Sequence, residues 1–309
     1  MKRTVLCVIP SYNGSTELVA CVDSIRRSPP NCQTDILVVD NASDPAHYHR
    51  LQSINDIQVI RNQRNLGFGA ASNIGFRVAL HKGYDFVLLV NQDVSFEAGA
   101  IDVLLKVAQS HGEIGLVSPV QLSQPGTIDT KFASNVPDAF ADVMGDLIKG
   151  APREVYRVRF VNAACWLLTP QFIKTVGGFD PIFFMYGEDN ELCRRAGFRG
   201  QKLGVALAAQ IIHERESKAP QSTVLERIRW ASVKQFSNLI LHSRQYNRSF
   251  QRNLLGVSRQ FLAVFVANAM AGDIEKSVGV TLAALKFAST LRKNRANFIA
   301  SIREEMPFL

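Results

Sequence analysis

Short apolar runs alternate with amphipathic segments through the first two thirds of the chain. TVLCVI (4–9) reads as a buried strand, and residues 15–27 as a helix with Leu18, Val22 and Ile25 on one face. The pattern repeats: strands at 35–40, 57–62, 85–93 and 114–120, helices at 69–82 and 97–110. The strands are apolar on both faces, as in a sheet covered by helices on each side. This predicts an α/β fold built on a mostly parallel, Rossmann-like sheet. Residues 121–155, with Pro125-Gly126 and Pro137, read as a loop-rich insertion or lid.

From about residue 221 the period becomes helical. Ile228, Ser232, Phe236 and Leu239 share one face, and 254–272 and 278–291 are long apolar helices. The expected division is an α/β domain at 1–220 and a basic, amphipathic helical region at 221–309. No repeat or low-complexity tract is present.

Polar residues gather just after the strands: Ser11-Tyr12-Asn13, Asp40-Asn41, Asn65 and Asn91-Gln92-Asp93. In open parallel sheets the ligand crevice lies at the carboxyl ends of the strands, so these groups are expected to converge.

Composition narrows the class. At 309 residues, 47% apolar and 20% charged, the chain can bury a large core, which excludes wholesale disorder. The net charge of +8 is uneven: residues 1–213 hold 20 Lys/Arg and 20 Asp/Glu, and residues 214–309 hold 15 and 7. A neutral head with a basic tail points to nucleic acid or an anionic bilayer as a partner of the tail. Five cysteines without paired metal-ligand spacing read as reduced structural thiols, which suits a reducing compartment. The apolar run behind Met1-Lys2-Arg3 is too short for a secretory signal, and no charge-free window reaches membrane-spanning length.

Glu188 and Asp189 follow a glycine and open a strongly patterned helix. Such an acid pair serves either as a helix cap or as a general base for a hydroxyl whose own pKa lies far above 7. Asp93 closes the apolar strand about a hundred residues upstream, where a carboxylate caps a loop or ligates a hard cation. One acid for a metal and one for a proton suggest metal-assisted group transfer. GFGAAS (67–72) lacks the third glycine of a dinucleotide fingerprint and reads as a tight turn into a helix.

VIPSYNG, VVDNASDP, NLGFGAASNIG, LLVNQD, GGFDPIFFMYGED and a later His213 occur in that order. The set resembles the catalytic domain of glycosyltransferase family 2, of the GT-A type, over roughly residues 4–215. Within the family it looks most like bacterial rhamnosyltransferases of cell-surface polysaccharide synthesis. The resemblance implies that Pro10, Tyr12, Asn13, Asp40 and Asn41 surround a pyrimidine base, Asp40 accepting from an imide N–H. Asn65, Gly67 and Asn73 would face the donor. Asn91-Gln92-Asp93 stands where the family carries D-x-D, with an amide in place of the first acid. Asp93 and His213 would then hold Mg²⁺ or Mn²⁺, and Asn91 would touch the ribose or the metal shell. Asp189 would be the catalytic base, with Glu188 orienting the loop or an acceptor hydroxyl. Asn162, Trp166 and Tyr186 are candidates for the acceptor or sugar pocket, Trp166 either as a stacking floor or as core.

A double displacement needs a second carboxylate close to the first, and neither Asp180 nor Glu191 is well placed in the sequence to serve. Inversion is therefore expected. The expected reaction is transfer of a sugar, with L-rhamnose from dTDP-rhamnose first, from a pyrimidine-nucleotide sugar to a lipid-linked or polysaccharide acceptor. The alternatives are a UDP donor of galactofuranose or glucose, a non-catalytic nucleotide-sugar-binding scaffold (prompted by Asn91), and a nucleotidyltransferase, disfavoured because PSYNGS carries no basic residue. Anionic lipid-linked acceptors favour the bilayer over nucleic acid as the partner of the tail. There Arg227, Arg229, Lys234, Arg244, Arg248, Arg252 and Arg259 interleave with Trp230, Phe236, Tyr246 and Phe261. The expected location is cytoplasmic, peripheral on the inner face of the membrane, and the helices could also form a homodimer seam.

Overall fold

The computed structural model describes residues 3–27, 31–214 and 223–309. Its first half alternates as expected: β1 (Thr4–Ser11), α1 (Ser15–Arg27), β2 (Gln33–Asp40), α2 (Pro45–Gln52), β3 (Gln58–Arg61), α3 (Phe68–Lys82) and β4 (Phe86–Val90). These four strands are parallel, in the order β3-β2-β1-β4. Side chains alternate across β1: Val5, Cys7 and Ile9 enter the core on one face, Leu6 and Val8 the core on the other. Burial on both faces is what made these runs continuously apolar.

The second half is mixed. It contains β5 (Val94–Phe96), α4 (Ala100–Ser110), β6 (Ile114–Gln124), β7 (Thr127–Ile128), α5 (Thr130–Asn135), α6 (Pro137–Ile148), β8 (Val155–Val158), β9 (Cys165–Leu168), α7 (Pro170–Val176), α8 (Glu188–Phe198) and β10 (Lys202–His213). The sheet continues β4-β9-β6-β10-β5, with β7 on β6 and β8 on β10. Because β9 runs antiparallel to both β4 and β6, while β10 runs parallel to β6, the directions of β4, β6 and β10 agree. The carboxyl ends of β1, β2, β4 and β10 and the amino end of β9 therefore share one edge of the sheet, and that edge carries the candidate chemistry.

Residues 121–155 are more ordered than the sequence reading held. Pro137 occupies the first turn of α6, where its missing N–H costs no hydrogen bond, and Asp129 caps α5 by accepting from Phe132 N–H at 2.8 Å.

Four helices complete the chain: α9 (Val224–Ser243), α10 (Phe250–Met270), α11 (Ile274–Ser289) and α12 (Leu291–Arg303). A capping box of Thr223 and Glu226 starts α9. Phe236, Leu239, Ile240, Val257, Ala283 and Phe287 form one core with Ile182 and Phe183 of the segment before α8. Ion pairs deepen the junction. Arg244 meets Asp180 at 2.6 Å and Arg195 meets Glu191 at 2.8 Å, all four side chains fully buried. The Tyr246 hydroxyl also donates to Glu191, and Asn297 Nδ2 donates to Asp180 at 2.5 Å. Beyond α12 the chain returns to the sheet-bearing unit, where Gly178 N–H donates to the Pro307 carbonyl at 2.9 Å.

This packing corrects the reading of the tail as one lipid-facing amphipathic set. Phe236 and Tyr246 are core residues, Arg244 is buried in its ion pair, and Arg227 is paired with Glu275 at 2.6 Å. Among the described residues no helix is long and apolar enough to cross a membrane. All five cysteines are free thiols.

Candidate active site

The loops at the carboxyl edge are tied to one another by amide side chains. Gln92 Oε1 accepts from the Ser11 hydroxyl at 2.8 Å and from Tyr12 N–H at 3.0 Å. Asn13, in the left-handed region at φ 50°, accepts from Asp44 N–H at 2.8 Å and so links the turns after β1 and β2. Asn41 donates to the Gly67 carbonyl at 3.1 Å and accepts from Leu66 N–H at 3.0 Å. Asn65 accepts from Gly67 N–H at 2.9 Å, closing the turn into α3. Pro10 is buried at the end of β1, whereas Tyr12 is 48% exposed and stands over the loops.

Three expected contacts take other roles. Asp40 is fully buried, 3.3 Å from Arg61 Nε and accepting from Ser43 N–H, so it presents no surface for a base and anchors the turn after β2. Asn73 is also buried: its amide donates to the Phe179 carbonyl at 2.8 Å and accepts from Phe179 N–H at 2.7 Å, clamping α3 to the segment before α8. Trp166 is not a sugar platform. It is fully buried and stacks on Phe179 at 5.8 Å, which in turn stacks on Phe76. Each such pair adds about 0.5–1.5 kcal/mol beyond burial.

Asp93 and His213 do meet. The end of β10 pairs with β5 just after Asp93, which brings His213 Nε2 within 3.3 Å of Asp93 Oδ1. His213 Nδ1 and the buried Asn91 Oδ1 have no hydrogen-bond partner, and Asp93 remains partly exposed. One carboxylate, one imidazole and a spare amide oxygen fit a divalent cation that draws its other ligands from diphosphate and water. Among the described residues no cluster of three or more His, Cys, Asp or Glu side chains forms a complete site.

The acid pair sits on a backbone that turns sharply. Tyr186 and Gly187 adopt φ 67° and φ 91°, and α8 begins at the next residue. A non-glycine residue in this region is strained, a condition common at functional sites. Glu188 is buried, its Oε2 has no partner, and burial together with the Asp189 charge pushes its carboxyl up to about 8. Burial also raises the Asp189 carboxyl above the ordinary range, opposed by donation from the backbone N–H groups of Asn190 and Ala163. Asp189 lines a cleft of about 1220 Å³ with Phe160, Tyr186, Trp230, Lys234 and Asn238.

Two adjacent residues join the acid pair to the Asn91–Asp93 turn. Ala163 N–H reaches Asp189, and the Ala164 carbonyl accepts from Asn91 N–H at 2.8 Å. Asn162, next in line, is held by Gln121 at 2.7 Å. The neighbouring acids are otherwise engaged. Burial would raise Glu191, but Arg195 holds it below the ordinary range, and Asp180 is bound to Arg244. Sequence reasoning missed the part played by the Ala163 amide, because a backbone donor leaves no mark on residue type. It also missed Trp230 and Lys234 as cleft residues, having read them as tail surface.

Residues 6–175 match the family model described as Glycosyl transferase family 2. The N-acetylglucosaminyl-diphospho-decaprenol L-rhamnosyltransferase of Mycobacterium tuberculosis is 26% identical over 206 residues, covering 58% of this chain and 66% of that one. The chain thus spans just under two thirds of that relative. The low-salt glycan biosynthesis hexosyltransferase Agl10 of Haloferax volcanii is 24% identical over 181 residues, 58% of each chain. Among solved structures, GalNAc-T7 with UDP, GalNAc and Mn²⁺ superposes with a TM-score of 0.62 at 16% identity, covering 98% of this chain and 56% of that one. The mannosyltransferase PcManGT of Pyrobaculum calidifontis, in complex with GDP-Man and Mn²⁺, gives 0.57 at 17% identity over 98% and 86%. These structural likenesses carry the fold. With more than half its length matched by the family model and GT-A architecture throughout the sheet, the chain belongs to glycosyl transferase family 2.

Proposed function

We propose that the chain is an inverting glycosyltransferase that moves a sugar, in the first instance L-rhamnose from dTDP-rhamnose, onto a lipid-linked glycan acceptor. The observation that carries this reading is the placement of Asp189, a carboxylate of raised basicity in a cleft wall, two residues' breadth from the Asn91–Asp93 turn. A base whose pKa lies nearer the working pH transfers a proton more effectively. Asp189 takes the proton of the acceptor hydroxyl as its oxygen bonds to the anomeric carbon and the nucleoside diphosphate departs. Burial raises both carboxyls of the pair, Glu188 to about 8 with help from the Asp189 charge, so the pair exchanges a proton closer to neutral pH than ordinary carboxylates do. Of the neighbouring acids, Asp180 and Glu191 are engaged by arginines and Glu188 is buried, which favours single displacement with Asp189 as the base.

Asp93 and His213 would hold a divalent cation, which supplies charge neutralisation at the leaving diphosphate. The rhamnosyl donor and the lipid-linked acceptor are supported by the name of the mycobacterial relative. Exposed Leu262, Val266, Met270 and Ile274 around the α10–α11 turn support peripheral attachment at the inner membrane face. Protein that ignores anionic liposomes at physiological salt would contradict that attachment.

A panel of UDP- and dTDP-sugars with Mn²⁺ or Mg²⁺, scored for slow donor hydrolysis, tests the proposal. Hydrolysis confined to dTDP-rhamnose is expected. Hydrolysis of a UDP-hexose alone would replace the donor, and binding without turnover under any metal would favour a scaffold.

A further inference from the structure

The cleft beside Asp189 has one wall contributed by the C-terminal helices. Arg227, Trp230, Lys234, Asn238 and Leu241 line it, and their spacing of three and four residues places them on one stripe of α9. Phe236, Leu239 and Ile240, on the opposite side of the helix, enter the core. The described residues that line the cleft run from Lys131 onward, and none belongs to the strand-end loops after β1 to β4. This wall is therefore separate from the loops expected to face the nucleotide.

Two open rings stand in it. Tyr186 and Trp230 meet edge to face, with 6.1 Å between centroids and 61° between planes, and they are 54% and 46% exposed. Both are fixed from behind. Ser237 of α9 donates to the Met185 carbonyl at 3.2 Å, and a Cβ at Gly187 would lie 3.1 Å from Leu241 Cδ1, so the turn that carries Tyr186 rests on α9. Beside Trp230, a Cβ at Gly279 of α11 would lie 2.7 Å from Ala231 Cβ, and Arg227 holds Glu275 of α11 at 2.6 Å. Half-open aromatic faces on a packed support, with Lys234 and Asn238 on the same stripe, suit a pyranose ring: its C–H face is apolar and its rim carries hydroxyls. Trp166, fully buried, offers no such face.

We propose that Tyr186 and Trp230 form the platform on which a sugar ring of the acceptor stacks, its reacting hydroxyl toward Asp189, so that α9 takes part in choosing the acceptor. The assignment rests on glycosyl transfer at Asp189. Tyr186 lies three residues before Asp189, so no more than about 11 Å separates their Cα atoms, and a ring on the platform can present its hydroxyl to the base.

Trp230 reports its own occupancy, because the only other tryptophan of the chain, Trp166, is sealed in the core. Wild type saturated with dTDP or UDP and Mn²⁺ is titrated with methyl glycosides of N-acetylglucosamine, glucose, galactose, mannose and rhamnose, and with a prenyl phosphate that carries no sugar. Tryptophan emission is followed. At least one glycoside is expected to shift it saturably, and the shift should vanish in Trp230→Phe. No shift with any glycoside, a shift with the prenyl phosphate alone, or a shift that persists in the variant would overturn the platform. The titration needs no turnover, so a saturable shift upholds the platform even if transfer fails, which would then count against the role of Asp189 alone. In transfer to prenyl-diphosphate-linked N-acetylglucosamine, Trp230→Ala should raise the acceptor KM roughly three- to tenfold, the worth of an apolar ring face returned to water. The donor KM and kcat should hold, and Trp230→Phe, which keeps a ring, should recover most of the loss. A rise in the donor KM instead, or a fall in kcat alone, would overturn the assignment to the acceptor.

Discussion

Replacing Glu188 with glutamine should flatten the pH dependence of stability. Glu188 is 7% exposed, and its carboxyl moves from an ordinary 4.5 to about 8 through burial and the Asp189 charge. Between those values the unfolded chain carries an ionised Glu188 and the folded chain a protonated one, so unfolding releases a proton. Stability from this group is complete below pH 4.5 and is lost as pH rises to about 8, at up to about 1.36 kcal/mol per pH unit. The whole window amounts to on the order of 5 kcal/mol. Glutamine keeps the shape and cannot ionise. The variant should differ from wild type by less than about 1 kcal/mol at pH 5 and be the more stable by on the order of 3 kcal/mol at pH 7. Urea unfolding of the full chain from pH 5 to 8.5, followed by tryptophan fluorescence, reads the difference. Parallel curves for the two proteins, or a steeper fall in the variant, would refute a buried, protonated Glu188.

Three further outcomes follow from named contacts. Asp180→Asn leaves Arg244 buried without its counter-charge and should cost about 3–5 kcal/mol, seen as a lowered Tm, because one partner of a sealed pair is removed. Gly67→Ala places a Cβ 2.1 Å from the Phe184 carbonyl at φ +85°, so strain of about 1–3 kcal/mol and a displaced 180–187 segment should lower both stability and transfer; wild-type values for both would contradict that close approach. His213→Ala should weaken Mn²⁺-dependent nucleotide binding, measured by calorimetry with and without metal, while metal-free affinity holds. An equal loss in both conditions would mean that His213 serves the fold alone.

Much of the fold could be read from the chain because doubly buried strands are continuously apolar, and the glycine ahead of Glu188-Asp189 marked a turn into a helix. The antiparallel insertion of β9 could not, since side-chain period carries no strand direction. Pro137 suggested a break where it in fact begins α6. The polar residues at the strand ends do lie together along one edge of the sheet, yet their individual duties depend on three-dimensional partners. Asn41, Asn73 and Gln92 hold loops together, and only contact geometry separates such an amide from one left open to a ligand. Arg244 shows the same limit: within a basic stretch it resembles its exposed neighbours, but it neutralises Asp180 in the interior.

The division of labour between the two acids is tested most directly by Asp189→Asn, assayed for sugar transfer and for nucleotide affinity in the presence of Mn²⁺. The account expects transfer to fall by about 10²–10⁴-fold, the worth of a positioned general base, with affinity unchanged. Transfer that survives the substitution, or nucleotide binding that collapses with it, would contradict Asp189 as the base acting on the acceptor.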